Sequence, residues 1–176
     1  MTTNAHVLDY LCLRLERNPA ERGRLLPISR RVATWLATAQ HPDGNWHDKW
    51  HASPYYASAC GTRALLRFAS PAAHAAIQRS VDWVLRTQWN DGSWGVWEGN
   101  PEETAYALKI LRCSTPNEKV ENSLARALPN LDATFSPLPL WHGKELYAPT
   151  AIIAAVVLAA RCSANTPIPP GSIGAD

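Results

Sequence analysis

The chain reads WLATAQHPDGNW over residues 35–46 and WVLRTQWNDGSW over residues 83–94. A shift of 48 residues superposes five identities: Trp35 on Trp83, Gln40 on Gln88, Asp43 on Asp91, Gly44 on Gly92, and Trp46 on Trp94. A weaker third copy is centred on Trp141, which follows Trp94 by 47 residues but lacks the glutamine and the Asp-Gly pair. Self-similarity at a fixed period is typical of repeat architectures. The chain is therefore predicted to consist of repeated units of about 48 residues.

Each unit reads as a helix, a turn and a second helix. The first helix is amphipathic, with Ile28, Val32, Trp35, Leu36 and Ala39 predicted on one face. The Asp-Gly pair then ends it. The second helix is apolar nearly all round, over residues 55–68, 104–111 and 150–160, and such a helix is buried on all sides. This alternation predicts an (α/α) barrel, in which half-exposed outer helices surround buried inner ones.

Counting the segments predicts an all-α fold of about seven helices over residues 1–162. Inner helices are expected at about 4–17, 54–69, 102–113 and 149–161, and outer helices at about 27–40, 76–88 and 118–129. A closed barrel of six hairpins needs more, so this one is predicted to be partial, with two apolar flanks that would attract a partner. The proline-containing tail, residues 163–176, is predicted to be disordered.

Composition excludes several classes of protein. Charged residues make up 18% and the net charge is +2, which gives no strong field for nucleic acid or an anionic membrane. The longest apolar run, 151–160, is half a membrane span, and no signal peptide is evident, so a cytoplasmic protein is expected. The four cysteines form no Cys-x-x-Cys pair and show no zinc spacing, which predicts buried thiols and no metal site.

The repeated Gln-x-x-Asp-Gly-x-Trp resembles the QW motif of terpene cyclases. Four longer strings are similar to successive blocks of bacterial class II diterpene cyclases, the copalyl-diphosphate-synthase-like enzymes. They are NAHVLDYL, HDKWHASPYYASAC, TQWNDGSWGVWEGNPEETAYAL and LWHGKELYAPTAIIAAVVLAA. The resemblance runs in order from residue 4 to about residue 161. By resemblance, Gln40, Trp46, Gln88 and Trp94 are structural and hold helix pairs together.

In that family two (α/α) barrels, β and γ, flank the active site. An Asp-x-Asp-Asp motif protonates the terminal alkene of geranylgeranyl diphosphate, a carbocation cascade closes a decalin, and a base removes a proton. Mg²⁺ assists the diphosphate through acidic groups of the γ domain. This chain has no Asp-x-Asp-Asp, and the resemblance places that motif just before the NAHVLDYL block. We therefore expect the chain to match only the C-terminal part of a β domain, and we identify no Mg²⁺ ligands in it.

Candidate site residues are those expected at the N-terminal ends of the inner helices. Asn4, His6 and His51 are candidates for the base or for holding a proton-accepting water. Asn4 and His6 could both reach the cavity opening only if the chain there is not yet helical. Glu103 is a candidate acidic residue of the pocket. Aromatic side chains are further candidates, because the faces of their rings stabilise carbocations. Lys49 and Lys144 are candidate diphosphate ligands. The aromatic candidates are Tyr55, Tyr56, Trp97, Tyr106 and Tyr147. For each residue, packing, helix capping or a solvated surface is the alternative.

Three functional hypotheses follow. The first is a subunit or fragment of a class II cyclase that forms a bicyclic diterpenyl diphosphate from geranylgeranyl diphosphate, inactive until a second polypeptide supplies the acid. The second is a non-catalytic (α/α) repeat protein that binds an isoprenoid or a protein partner, and self-association is expected in either case. The third is a gene remnant without function. The sequence leaves open whether the chain is an enzyme.

Overall fold

The computed structural model describes residues 1–132, 139–142, 149–163, 166 and 168–174. Its described residues contain seven α-helices, which confirms the predicted all-α fold. Two 3-10 helices, Pro19–Glu21 and Leu128–Asp132, join them. The helices are α1 (Thr2–Arg17), α2 (Arg22–Thr38), α3 (Pro54–Arg67), α4 (Pro71–Arg86), α5 (Pro101–Leu111), α6 (Glu118–Ala127) and α7 (Thr150–Cys162).

The helices alternate between an inner and an outer row, as the apolar patterns predict. In the inner row α1 packs on α3, α3 on α5, and α5 on α7. Outside it, α2 lies against α1 and α3, α4 lies against α3 and α5, and α6 lies against α5. The core is therefore the layer between the two rows, and the other side of the inner row faces the barrel interior.

Short polar residues before a proline set the starts of two inner helices, α3 and α5. The Ser53 hydroxyl accepts a hydrogen bond from the N–H of Tyr55, and Pro54 occupies the first turn of α3. Asn100 accepts from the N–H of Glu103 in the same way at the start of α5. A side-chain cap satisfies a donor that the helix itself cannot, and proline needs no partner there.

Two outer helices begin about five residues earlier than the sequence pattern predicts. Helix α4 begins at Pro71 because Ser70 caps it. Helix α2 begins at Arg22 and continues through Pro27. A proline in the second turn leaves only the carbonyl of Gly23 without its intrahelical donor, and Gly23 is exposed to water.

In each copy, hydrogen bonds from the repeated motif connect its turn to two outer helices. The buried indole N–H of Trp46 donates to the carbonyl of Leu36 at 2.9 Å, and that of Trp94 donates to Val84 at 2.8 Å. The side-chain amide of Gln40 donates to the carbonyls of Gly44 and of Ala76 on α4. Gln88 makes the same two bonds, to Gly92 and to Ser123 on α6. The two copies are thus equivalent in hydrogen bonding as well as in sequence.

The two copies differ at the first tryptophan of the motif, which is Trp35 in one copy and Trp83 in the other. The buried stripe of α2 consists of Leu25, Ser29, Ala33, Leu36 and Ala37. Trp35, predicted on the buried face, is 44% exposed, whereas Trp83 is 6% exposed. Trp83 is covered by the ring of Tyr55, with ring centroids 4.6 Å apart. A shift of 48 residues places Val7 at the position of Tyr55, and this smaller side chain is itself exposed.

The described part of the tail is packed, whereas its composition predicts disorder. The N–H of Ile168 donates to the carbonyl of Arg112 at 3.2 Å, and that of Gly171 donates to Leu66 at 2.9 Å. Ile173 is buried and pairs with Phe68. These acceptors lie at the C-terminal ends of α5 and α3, where helix carbonyls lack intrahelical donors. The tail supplies those donors together with two apolar side chains.

Apolar side chains are exposed on the two helices at the ends of the inner row. On α1, Val7 is 41% exposed and Tyr10 59%. On α7, Ile152 is 58% exposed and Leu158 60%. Each of these helices packs on one inner neighbour, α3 or α5 respectively. The two apolar flanks that the helix count predicts are therefore present in the described residues.

Candidate functional site

A buried carboxylate lies where α5 begins, at the same end of the inner row as the start of α3. Glu102 is 1% exposed, and its Oε1 accepts a hydrogen bond from the indole N–H of Trp141 at 2.9 Å. The same oxygen lies 3.2 Å from Nε2 of His51. One carboxylate oxygen thus joins α5 to two segments that are distant in the sequence.

Both ring nitrogens of His51 are engaged. Nε2 lies 3.2 Å from a carboxylate oxygen of Glu102, and Nδ1 lies 3.1 Å from the backbone nitrogen of Ser53 and 3.0 Å from its carbonyl oxygen. The side chain is fully buried. Through these contacts His51 holds Glu102 and the start of α3 together. This geometry leaves no ring nitrogen to take a proton from a substrate, contrary to the expectation that His51 is a base.

Four rings pack around this carboxylate. The ring centroid of His51 lies 4.7 Å from that of Trp141 and 5.2 Å from that of Tyr56. Tyr56 lies 4.9 Å from Trp141 and 5.4 Å from Tyr106. We call Glu102, His51, Tyr56, Tyr106 and Trp141 the aromatic cluster. Centroid distances of this size are those of favourable aromatic pairs.

A cavity of about 510 Å³ lies on the interior side of the inner row, with the aromatic cluster at one end. Tyr56 and Tyr106 belong to both the cluster and the cavity wall. Helix α1 contributes Ala5, His6 and Asp9, and α7 contributes Ile152, Ala155, Val156 and Ala159. This volume lies within the range of small-molecule sites, and the wall is mainly apolar.

The hydroxyl and thiol groups of the wall are uncharged at neutral pH. Burial raises the pKa of Tyr56 well above its ordinary value. Burial, followed by the charge of Glu102, does the same for the pKa of Tyr106. Burial also raises the pKa of the Cys60 thiol to about 11. The wall therefore presents neutral phenol rings, whose negative faces attract cations without adding a nucleophilic phenolate.

The family model of the squalene-hopene cyclase C-terminal domain matches residues 4–128. That match covers most of the chain and includes both copies of the repeat and helices α1 to α6. The chain belongs to this family. The predicted resemblance to terpene cyclases is thereby confirmed.

Curated relatives place the chain beside bacterial class II diterpene cyclases. It is 46% identical over 170 residues to a copalyl diphosphate synthase from Streptomyces anulatus, covering 94% of this chain and 31% of that protein. It is 42% identical over 181 residues to a labda-7,13-dienyl diphosphate synthase from Streptomyces clavuligerus, covering 97% of this chain and 33% of that protein. The chain thus spans about a third of the length of the relatives it matches.

Solved cyclase structures share the fold. An ent-copalyl diphosphate synthase from Streptomyces platensis superposes with a TM-score of 0.85 at 42% identity, over 99% of this chain and 33% of that chain. A type II terpene cyclase from Scytonema, solved with geranylgeranyl dihydroxybenzoate as substrate, gives a TM-score of 0.53 at 27% identity over 57% of this chain. The partial (α/α) barrel predicted from the repeats is therefore the cyclase barrel fold.

Three of the predicted site residues line the cavity: His6, Tyr56 and Tyr106. Tyr55 points away from it, since its hydroxyl donates to Thr87 at 2.9 Å and its ring stacks on Trp83. Adjacent residues of a helix lie about 100° apart around its axis, so Tyr55 faces the outer row while Tyr56 faces the cavity. The side chain of Glu103 accepts from the N–H of Val96 and the amide of Asn100, and it holds the preceding loop.

Other candidates lie outside the cavity wall. Helix α1 begins at Thr2, so Asn4 and His6 are both helical and point about 200° apart, which excludes a shared mouth. Lys49 is exposed, with Nζ 4.5 Å from the ring centroid of Trp50. Trp97 is 55% exposed in the loop before α5. The candidates Lys144 and Tyr147 lie outside the described residues.

Two residues that organise the cluster, Glu102 and Trp141, are not among the predicted site residues. The available signal for Glu102 is an acid pair at the start of a helix that is apolar nearly all round. Trp141 was aligned with Trp94 as a third copy of the repeat. In the structure its indole N–H donates to a carboxylate, whereas Trp46 and Trp94 donate to helix carbonyls. Loss of the Gln and Asp-Gly residues is consistent with that different role.

The described residues contain no group of three or more His, Cys, Asp or Glu side chains that converges as metal ligands do. The carboxylate of Glu102 is already bonded to a tryptophan and a histidine. Within the part of the chain that the structure describes, the aromatic cluster therefore does not fit a Mg²⁺ site. Among the described helices, none is long and apolar enough to span a membrane.

Proposed function

We propose that this chain forms part of the active-site wall of a class II diterpene cyclase that converts geranylgeranyl diphosphate to a bicyclic diterpenyl diphosphate. The observation that supports this most directly is the cavity of about 510 Å³ lined by Tyr56, Tyr106 and apolar helix faces. Its relatives that make copalyl and labda-7,13-dienyl diphosphates support the same substrate class.

The reaction starts when an acid protonates the terminal alkene of the substrate. The sequence has no Asp-x-Asp-Asp motif. Asp9 is the carboxylic acid among the described cavity-lining residues, and its Oδ1 lies 2.6 Å from Nε of Arg67 in an ion pair. An initiating acid has to carry its proton and direct it at carbon. We propose that a second polypeptide with an Asp-x-Asp-Asp motif provides that acid.

The later steps need a wall that tolerates positive charge and a group that ends the cascade. The alkene electrons attack the cation to close each ring, and the faces of Tyr56 and Tyr106 stabilise the cation through their quadrupoles. The cascade ends when a base takes a proton from carbon, and the C–H electron pair becomes the new alkene. His6 is the histidine among the described cavity-lining residues, so we propose it as that base or as its water-holding partner.

Complementation tests this proposal. The purified chain would be mixed with the part of the Streptomyces anulatus synthase that precedes the matched region, and conversion of geranylgeranyl diphosphate would be followed by product analysis. Turnover is expected from the mixture and from neither component alone. Robust cyclisation by the chain by itself would overturn the proposal of an acid supplied in trans.

Variants sharpen the same experiment. His6→Ala should change product distribution or rate in the mixture while leaving the melting temperature of the chain nearly unchanged, because a wall residue meets the cation only during reaction. His51→Ala should instead lower the melting temperature, since it unlinks Glu102 and Ser53. Equal effects of the two variants on stability would contradict these assignments.

The second candidate is a non-catalytic repeat protein that binds an isoprenoid. The absent acid motif favours it. A mixture that forms a stable complex and binds geranylgeranyl diphosphate, yet gives no product, would support this candidate over the first.

A further inference from the structure

The cavity between the inner helices ends at the tail of the chain. The last lining residues of α3, α5 and α7 are Ala64, Lys109 and Ala159, each within one turn of the C-terminal end of its helix. Beyond them, Ile168 lines the cavity. Its backbone N–H donates to the carbonyl of Arg112, the residue after α5, at 3.2 Å. The tail therefore crosses the end of the cavity that lies opposite the aromatic cluster.

A second cavity, of about 590 Å³, lies on the other side of Ile168. Leu66 on α3 and Ile77 on α4 line it, together with Pro169 and Pro170 of the tail. Among the described residues, Ile168 is the one that lines both cavities. Its side chain is partly buried and packs against the core. One isoleucine side chain therefore separates two spaces that both have apolar side chains in their walls.

Close packing of the tail fixes the position of Ile168. Three residues further on, the N–H of Gly171 donates to the carbonyl of Leu66 at 2.9 Å. A Cβ added at Gly171 would lie 2.2 Å from the carbonyl oxygen of Arg67, so the tail lies directly against the end of α3. Because its backbone bonds to the ends of two inner helices, the tail cannot move away from the cavity without breaking these bonds.

We propose that Ile168 is the floor of the substrate cavity and limits the length of the isoprenoid chain that the cavity accepts. This inference rests on the proposed function, because it takes the cavity to hold an isoprenoid. A hydrocarbon chain that fills the space between the aromatic cluster and Ile168 buries more apolar surface with each isoprene unit. A unit that reaches Ile168 gains nothing further, because it has to displace a packed side chain. A smaller residue at this position should open a path into the second cavity.

Binding of three isoprenoid diphosphates to the whole purified chain tests the inference. Farnesyl, geranylgeranyl and geranylfarnesyl diphosphates share a head group and differ by one isoprene unit each, so only the chain length varies. Calorimetry should show that the wild type binds the geranylgeranyl compound about ten-fold more tightly than the farnesyl compound, and the geranylfarnesyl compound no more tightly. Ile168→Ala should tighten binding of the geranylfarnesyl compound about ten-fold and change that of the farnesyl compound by less than about two-fold.

Further variants distinguish the floor from a general loss of stability. Gly171→Ala adds a methyl group that collides with the carbonyl of Arg67, so it should lift the tail and shift the length preference in the same direction as Ile168→Ala. Ile168→Trp should fill the end of the cavity and weaken binding of the geranylgeranyl compound about ten-fold, with the farnesyl compound changed less. Ile28→Ala, the same change at a partly buried residue that lines neither cavity, should leave the order of the three affinities unchanged.

The outcomes separate this inference from the proposed function. If folded Ile168→Ala keeps the wild-type order of affinities, the floor is overturned and an isoprenoid cavity remains. Wild-type affinities that still rise from the geranylgeranyl to the geranylfarnesyl compound overturn the floor as well. Equal affinity for all three compounds, or binding of none, overturns both proposals. Melting curves show whether each variant is folded, and if Ile168→Ala is not, the opposite shift expected of Ile168→Trp decides.

Discussion

At the residue scale, the repeated tryptophans show how one side chain can close a helix pair. Trp46 and Trp94 are each 1% exposed or less, and the indole N–H of each donates a hydrogen bond to the carbonyl of the residue ten positions earlier. Their backbone N–H groups donate to hydroxyls of the following inner helix, Ser58 and Thr104 respectively. Each tryptophan therefore bonds to the outer helix before it through its indole and to the inner helix after it through its backbone N–H.

Replacing one of these tryptophans should destabilise the chain. Trp94→Ala removes a buried indole and leaves a cavity, so the free energy of unfolding should fall by about 3 kcal/mol. Urea denaturation followed by circular dichroism measures it. Trp97→Ala is the matched control, because Trp97 is 55% exposed and should change stability by less than about 0.5 kcal/mol. Equal losses in both variants would contradict the role assigned to Trp94.

The repeated glycine is required by backbone geometry. Gly44 has a φ of +94°, and a Cβ added there would lie 2.3 Å from the carbonyl oxygen of Arg79 on α4. Gly44→Ala should therefore cost about 2 kcal/mol or more. Gly23→Ala, where a Cβ meets nothing within 4 Å, should instead gain about 0.5 kcal/mol by restricting the unfolded chain. Thermal melts test whether Gly44→Ala lowers the melting temperature and Gly23→Ala raises it.

At the element scale, α1 is held to the rest of the fold by an acid from another segment. The backbone N–H and the hydroxyl of Thr2, at the start of α1, both donate to Asp48. Asp48 lies in the loop between α2 and α3, and it also accepts from the N–H of Trp50. It thus serves as an N-terminal cap for a helix that has no side-chain cap of its own.

This attachment should weaken in acid. Burial by itself raises the pKa of Asp48, but hydrogen bonds from Thr2 and Trp50 outweigh it and lower the pKa to about 2. A lowered carboxyl pKa contributes stability that is complete above the unfolded value of about 3.9 and is lost as pH falls through the folded value. The stability difference between wild type and Asp48→Asn should therefore be constant above about pH 5 and shrink toward about pH 2.

Urea denaturation across this pH range checks the prediction, and hydrogen exchange should show the loss of protection concentrated in α1. Asp43→Asn, at an exposed turn position, serves as the control for removing a carboxylate charge. A difference for Asp48→Asn that grows in acid would show that the sign is wrong.

At the scale of the whole molecule, the two ends of the inner row differ from its middle. Helix α5 is buried along nearly its whole length, whereas only Ile153, Val156 and Ala160 of α7 are buried. Helix α7 has the more apolar sequence of the two, so its lower burial comes from the smaller number of its neighbours. Apolar faces of this kind favour association in water.

The chain by itself should therefore self-associate at high concentration. Tyr10→Glu and Leu158→Glu place charges on the two end faces and should reduce the average mass measured by light scattering. Val96→Glu, which alters an exposed loop side chain, should leave it unchanged. A wild-type chain that stays monomeric at millimolar concentration and binds no apolar dye would contradict this prediction.

Local chemistry accounts for the part of the fold that could be predicted. The Asp-Gly turns, the apolar periodicity and the residues before Pro54 and Pro101 act over a few positions, so their helices and turns follow from the sequence alone. The resemblance of the repeated motif to the QW motif also predicted the protein family. Where tertiary packing overrides a local signal, the structure differs from the prediction: α2 begins five residues before its predicted start and continues through Pro27, and the described tail residues 168–174 pack against α3 and α5.

The site depended on contacts that no periodicity encodes. Tyr55 and Tyr56 are adjacent and chemically alike, yet one stacks on Trp83 and the other lines the cavity, because a helix directs neighbouring side chains to different sides of its axis. Trp35 and Trp83 are equivalent by repeat, yet only Trp83 has a tyrosine to cover it. Glu102, His51 and Trp141 meet across 51 and 39 residues of chain. The sequence determined which helices form and alternate; the tertiary structure decided which polar groups meet, because only the packing of the inner row places them within hydrogen-bonding distance.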